Sequence, residues 1–131
     1  MNEKVSGGPI KIGRISVAAE KAVGISLTSG VAIYMEEKVL NALAETHPST
    51  YLKVIDEIAK ITKNPDFVHY EERGDAFEFV RFYFKSGKFQ MVSIHVKHLG
   101  RPKKWLYQGM TCVNLTKGDG GLLNGEYSRP R

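Results

Sequence analysis

The stretch Phe77–His98 constrains this chain more than any other. It reads Phe-Glu-Phe-Val-Arg-Phe-Tyr-Phe, then Lys-Ser-Gly-Lys, then Phe-Gln-Met-Val-Ser-Ile-His-Val-Lys-His. Two runs of aromatic and β-branched residues flank a break that carries glycine, which is the pattern of a β-hairpin. Taking alternate residues, Val80, Phe82 and Phe84 with Val92, Ile94 and Val96 make an apolar face. Arg81, Tyr83, Ser93, His95 and Lys97 make a polar one. That match needs a three-residue loop, Lys85–Gly87, with Gly87 in the left-handed region. A two-residue Ser86-Gly87 loop would instead put Val80 and Phe82 on the face of Ser93 and Met91. Burial of one face fixes register strongly, so the three-residue loop is expected.

The remaining chain reads as one domain on its length of 131 residues, with a lead over 1–9, a folded part over 10–117 and a loose tail over 118–131. No run of about 18 apolar residues is present, so no membrane-spanning helix is expected and no membrane partner. The N-terminus lacks the apolar core of a secretory signal. The single cysteine, Cys112, can form no internal disulfide, which makes the cytoplasm the default compartment. Its apolar strand-like surroundings predict a buried, inert thiol.

Local signals place the elements. Ile10–Ile15 is a short extended piece. Ser16 is positioned to cap a helix over Val17–Val23 that stops at Gly24, and Val31–Tyr34 is a short β-prone run. One helix spans about 36–46 and ends at His47-Pro48; a second spans about 50–62. After Lys63-Asn64-Pro65-Asp66 the apolar period changes to two. Strands follow over Phe67–Glu71, the two arms of the hairpin, and Lys104–Leu115. Helices first and strands after predict an α+β fold, with N-terminal helices packed on a twisted antiparallel sheet of about four strands.

Charge is distributed unevenly. Through Glu78 the chain holds 12 of its 14 acidic residues, whereas Phe79–Lys117 has none and carries Arg81, Lys97, Arg101, Lys103 and Lys104 among its cations. A one-sign sheet with interleaved aromatics is the footprint of a polyanion-binding surface, most simply for nucleic acid. RNA cleavage without a metal needs an acid, a base and cations or donors for the charged transition state. His95 is the first candidate acid or base. Arg81 and Lys97 are candidate phosphate holders, Ser93 and Tyr83 candidate donors, and Trp105 a candidate stacking platform if it is not core. His47, beside Pro48, is either a second acid–base group or a helix-terminus hydrogen-bonding residue. The histidine spacing and the lone cysteine make no metal site, and no cofactor is expected.

Several strings, taken in order, resemble a phage-associated nuclease family of the barnase–EndoU–colicin RNase–RelE group. They are Ile15-Ser16, Ala22-Val23-Gly24-Ile25, Val31-Ala32-Ile33-Tyr34, His47-Pro48, Asn64-Pro65-Asp66, the aromatic hairpin, Trp105-Leu106 and Thr111, across about residues 12–115. The resemblance implies a metal-independent endoribonuclease of phage or toxin type that cuts tRNA or another structured RNA by 2′-hydroxyl attack. It implies active residues His47, Arg81, His95 and Thr111. It also implies a protein inhibitor as partner and a monomer or small homo-oligomer. A non-catalytic nucleic-acid-binding or phage-assembly module on the same fold is the alternative, and an adaptor that pairs its hairpin edge with a partner strand is a third.

Overall fold

The computed structural model describes residues 8–25, 31–85 and 87–115. In chain order the elements are β1 (Ile10–Arg14), α1 (Val17–Val23), β2 (Ala32–Met35), α2 (Glu37–Thr46), α3 (Tyr51–Lys63), β3 (Phe67–Glu71), β4 (Ala76–Lys85), β5 (Lys88–Leu99) and β6 (Lys104–Leu115). The expected lead and tail lie almost wholly outside the described residues. Among those described, no helix is long and apolar enough to cross a membrane.

The α+β expectation of helices on a four-stranded antiparallel sheet is corrected. All strands join one six-stranded sheet, in the order β1-β2-β6-β5-β4-β3. Its β2–β6 pair is parallel and the others are antiparallel, so the sheet is mixed. The physical reason is non-local. β1 and β2 are too short to announce a sheet by themselves. They are added to it through Ile33 opposite Trp105 and Tyr34 opposite Leu106, a pairing that no local pattern encodes. The sheet curls as a half-barrel around α3, which packs on β1, β4 and β5, while α1 reaches β3 at the opposite edge.

The helices form where their termini are satisfied. Ser16 Oγ accepts the Ala19 amide at 3.1 Å, and Gly24 closes α1 in the left-handed region at φ 75°. The chain leaves α2 at His47, as expected of a residue before proline. α3 turns Ile58, Ile61 and Thr62 inward, and the Thr62 hydroxyl is satisfied by the Ile58 carbonyl at 2.9 Å. These side chains meet Phe77, Phe79, Ile94, Val96, Ile33, Met35 and Trp105 in one buried cluster. Phe77 is its aromatic centre. Its ring lies 5.3 Å from Phe79, 5.3 Å from Trp105 and 5.2 Å from Tyr70.

The hairpin register also differs from expectation. Lys85 pairs with Lys88, so the loop is the two-residue Ser86-Gly87, with Gly87 at φ 74°. Phe77, Phe79, Arg81 and Tyr83 therefore share the helix-covered face with Val96, Ile94, Val92 and Gln90. Glu78, Val80, Phe82 and Phe84 share the open face with His95, Ser93, Met91 and Phe89. Matching apolar sets misled because the open face is itself apolar towards the hairpin tip. There the aromatic rings pack on one another, Phe84 with Phe89 at 4.9 Å and Phe67 with Phe82 at 5.8 Å. A tight glycine-bearing loop suits the twist of the two arms, and side-chain parity follows from it.

Candidate functional site

The open face divides into two ends. Towards the hairpin tip it is apolar. Towards the β5–β6 loop it is polar, and there a row of titratable side chains crosses the sheet. His69 on β3 is directly opposite Glu78 on β4, and Glu78 is directly opposite His95 on β5. Directly opposed residues on a sheet hold their Cβ atoms about 4.5–5.5 Å apart, close enough for short polar side chains to share one ligand. The row continues to Gly109 on β6. The space that a Cβ would take at Gly109 is open, leaving a notch beside the His95 imidazole.

A β-bulge sits at this point. The register shifts between His95 and Val96, so that Gln108 is the extra residue on β6. Bulges bend a strand locally and re-aim the neighbouring side chains. The result is a cleft of about 380 Å³ whose lining includes His69, Glu71, Glu78, His95, Lys97 and Gln108. The cleft combines two carboxylates, two imidazoles and one ammonium. It therefore gathers a proton acceptor, a proton donor and a cation in one cleft, the set required for general acid–base catalysis. Among the described residues no group of three or more His, Cys, Asp or Glu is arranged to hold a metal ion.

The structure separates the sequence-derived site residues. His95, Lys97 and Thr111 share the open face, with Thr111 opposite Ser93 and exposed. Ser93 lies on that face too, but it is buried and its hydroxyl has no hydrogen-bond partner among the described residues. Arg81 and Tyr83 are on the other face. Arg81 donates to the Asn64 carbonyl at 3.0 Å, and the Tyr83 hydroxyl donates to the Glu57 carboxylate on α3. Burial, that hydrogen bond and the Glu57 charge push the Tyr83 phenol up to about 12. Both residues thus tie the helical layer to the sheet. His47 is exposed at the C-terminus of α2, with its amide bonded to the Leu43 carbonyl at 2.8 Å. It ends a helix whose Val39, Leu40 and Leu43 pack against the buried core.

Trp105 is core, 4% exposed, with His98 stacked on it at 4.4 Å and Phe77 at its edge. Its ring is occupied by protein rather than offered to a base. Arg101 and Lys103 are exposed in the β5–β6 loop, and the Lys104 ammonium stands 5.5 Å from the Tyr34 ring centre. Cys112, expected to be inert and buried, is exposed. It points to the helix side near the hairpin tip, where α3 leaves a cleft bordered by Glu57, Tyr83 and Met110.

A second polar cluster holds the β3–β4 turn against the end of β5. Asp75 has a left-handed backbone at φ 51°, a conformation that Asp tolerates better than most residues. Its carboxylate accepts from the Tyr70 hydroxyl at 2.8 Å and meets His98 Nδ1 at 2.9 Å, while its carbonyl accepts the His98 amide at 3.0 Å. Burial disfavours the Asp75 charge. The hydrogen bonds from His98 and Tyr70, with the charges of His98 and Lys103, outweigh it and hold the carboxyl below its usual range. The Tyr70 phenol is pushed up to about 12, first by burial and then by Asp75.

A carboxyl depressed in the folded state stabilises above its unfolded pKa, and this contribution fades as pH falls through the folded value. Asp75→Ala is therefore expected to cost about 1 kcal/mol at neutral pH, a modest figure because the pair is partly solvated. Urea titrations should show the gap between variant and parent closing below the carboxylate range. A gap that stays constant down to acid pH would contradict this account.

No protein-family model matches this chain, and no curated protein or solved structure matches it either. The side chains themselves carry the functional argument. Glu78 and His69 were not among the sequence-derived candidates. The signal for Glu78 was available in the loop length, because a two-residue Ser86-Gly87 loop pairs it with His95. His69 then follows from the β3–β4 register, which its sequence surroundings do not specify.

Proposed function

We propose that the protein is a metal-independent endoribonuclease whose centre is the Glu78–His95 pair. The observation that carries this reading is the direct cross-strand opposition of Glu78 and His95 in an open cleft that also contains Lys97. In the proposed reaction Glu78 takes the proton of a ribose 2′-hydroxyl, and the oxygen attacks the adjacent phosphorus. The bond from phosphorus to the 5′-oxygen breaks, and the His95 imidazolium protonates that leaving oxygen. The products are a 2′,3′-cyclic phosphate and a 5′-hydroxyl. Lys97, in the next row of the same face, offsets the charge that develops on the phosphoryl oxygens. His69, on the far side of Glu78, keeps the carboxylate in place.

The acid-free segment from Phe79 to Lys117 supports RNA as the substrate class. So does the resemblance to the barnase–EndoU–colicin RNase–RelE group, although the catalytic set proposed here excludes Arg81 and His47. Incubation of total RNA with the protein in EDTA tests the reading. Cyclic-phosphate ends should form with the parent protein, and Glu78→Gln should slow their formation by about 10²–10⁴-fold. RNA that stays intact with the parent protein would sink the enzyme. The same sheet would then be a nucleic-acid-binding module, detected as salt-sensitive RNA affinity without cleavage.

A further inference from the structure

The open face carries a second and larger cleft, about 470 Å³, immediately beside the first. The two meet at one cross-strand pair. Lys97 lines the first cleft and Leu106 lines the second, and the two residues are directly opposite each other on β5 and β6. The second cleft runs from there towards α2. Arg101, Lys104 and Lys38 line it, and Glu36 and Glu37 line it from the start of α2.

Charge across the open face is graded. On the β3 side of the His69–Glu78–His95 row Glu71 lines the first cleft, before a turn that carries both Glu72 and Arg73. Lys97 follows His95 on β5, and beyond it Lys104 on β6 and Arg101 in the β5–β6 loop line the second cleft. Lys11 on β1 is paired with Tyr34 and so faces the same way. A polyanion whose reacting phosphate lies over Glu78 and His95 meets repulsion in one direction and cations in the other.

From this polarity we infer that single-stranded RNA crosses the strands rather than following them, leaving the Glu78–His95 row over Lys97 and entering the second cleft. The inference rests on the reading of that row as the cleavage centre. In the second cleft the phosphates follow Arg101 and Lys104, the former in the fork geometry a guanidinium offers to phosphate. Glu36 and Glu37 accept hydrogen bonds from ribose hydroxyls and base amino groups. The cleft is thus a flanking subsite, and it engages only RNA long enough to reach it.

Binding measured by fluorescence anisotropy on the His95→Ala protein in EDTA tests this without requiring cleavage. The probes are a fluorescein-labelled ten-nucleotide single-stranded RNA and a labelled dinucleotide. The double variant Arg101→Glu, Lys104→Glu, made in the His95→Ala background, is expected to bind the ten-mer at least about tenfold more weakly. Its log–log salt slope should fall by about 1.4, the value for two lost phosphate contacts on a single strand. Its dinucleotide affinity should change by less than about threefold, because so short a probe does not reach the subsite.

Equal losses at both lengths, or no loss at either, would overturn the inference. So would an equal loss of ten-mer affinity from Lys53→Glu, Lys60→Glu on the exposed side of α3, because overall charge would then explain the effect. Length-dependent binding without any cleavage by the parent protein would leave this path standing and sink the nuclease reading. Cleavage of a dinucleotide, with ten-mer affinity indifferent to Arg101 and Lys104, would sink the path alone.

Discussion

His95→Ala is expected to lower the rate of RNA cleavage by about 10²–10⁴-fold, the usual worth of one positioned acid or base. His95 and Glu78 do opposite jobs on one proton inventory, so each must be in a particular protonation state at the same time. The parent protein should therefore show a bell-shaped dependence of kcat/KM on pH. His95→Ala should lose the limb that reports the acid and keep the one that reports the base. A leaving group that needs little protonation provides a further check. With an aryl ester at the 5′ position, the deficit of the alanine variant should shrink, whereas that of Glu78→Gln should persist. Equal deficits for both variants on both substrates would remove the assignment of His95 as the acid. Arg81→Lys is informative by contrast. It lies on the helix-covered face, so its effect should appear in stability, through the lost Asn64 contact, rather than in the pH profile.

Phe77→Ala should cost about 3–5 kcal/mol, a large part of the roughly 5–15 kcal/mol that holds a domain together. The ring is 1% exposed and touches Phe79, Tyr70 and Trp105, so truncation removes its own burial and leaves a cavity among rigid neighbours. Phe84→Ala should cost about 1 kcal/mol or less, since its contact with Phe89 lies at the surface. Its side chain is 64% exposed. The comparison of the two urea midpoints is a direct test of the hairpin register. In the three-residue-loop arrangement Phe84 would be core and Phe77 would face outward, and the order of the two penalties would reverse.

That reversal locates what the sequence did and did not make legible. Signals confined to a few neighbouring residues could be read. Ser16 and Gly24 bracket α1, Phe67–Glu71 and Lys104–Leu115 are strands over those residues, and both longer helices begin and end within a residue or two of expectation. Pro48 and Pro65 terminate helical segments through backbone sterics that do not depend on the rest of the fold. What could not be read depends on relations between distant segments. The strand character of Ala32–Met35 was visible, but not its partner on β6.

The hairpin is the instructive case, because one loop residue decides the partner of every side chain on both arms. With the loop one residue too long, Arg81 joins His95 and Glu78 disappears from view. With the correct length, Arg81 goes to the helices and a carboxylate takes its place beside the imidazole. The set inferred from the hairpin draws on acids, bases and cations that are plentiful there in either register. Its membership was wrong because parity was argued from apolar matching on a hairpin that is apolar in places on both faces.

The parallel joint between β2 and β6 has a consequence for the order in which the molecule is made. Ile33 must wait for Trp105, and Tyr34 for Leu106. At about 5–20 residues per second, a ribosome takes roughly 4–14 seconds to synthesise the intervening chain. Throughout that interval β2 has β1 on one side and nothing on the other, an open strand edge of the kind that recruits neighbouring chains. A nascent chain halted before Lys104 is where this edge can be caught, as rapid amide exchange around Ile33 that slows once β6 has been synthesised. The β1–β2 pair is thus a socket built early for a plug delivered late, and the half-barrel closes only near the end of synthesis of the described residues.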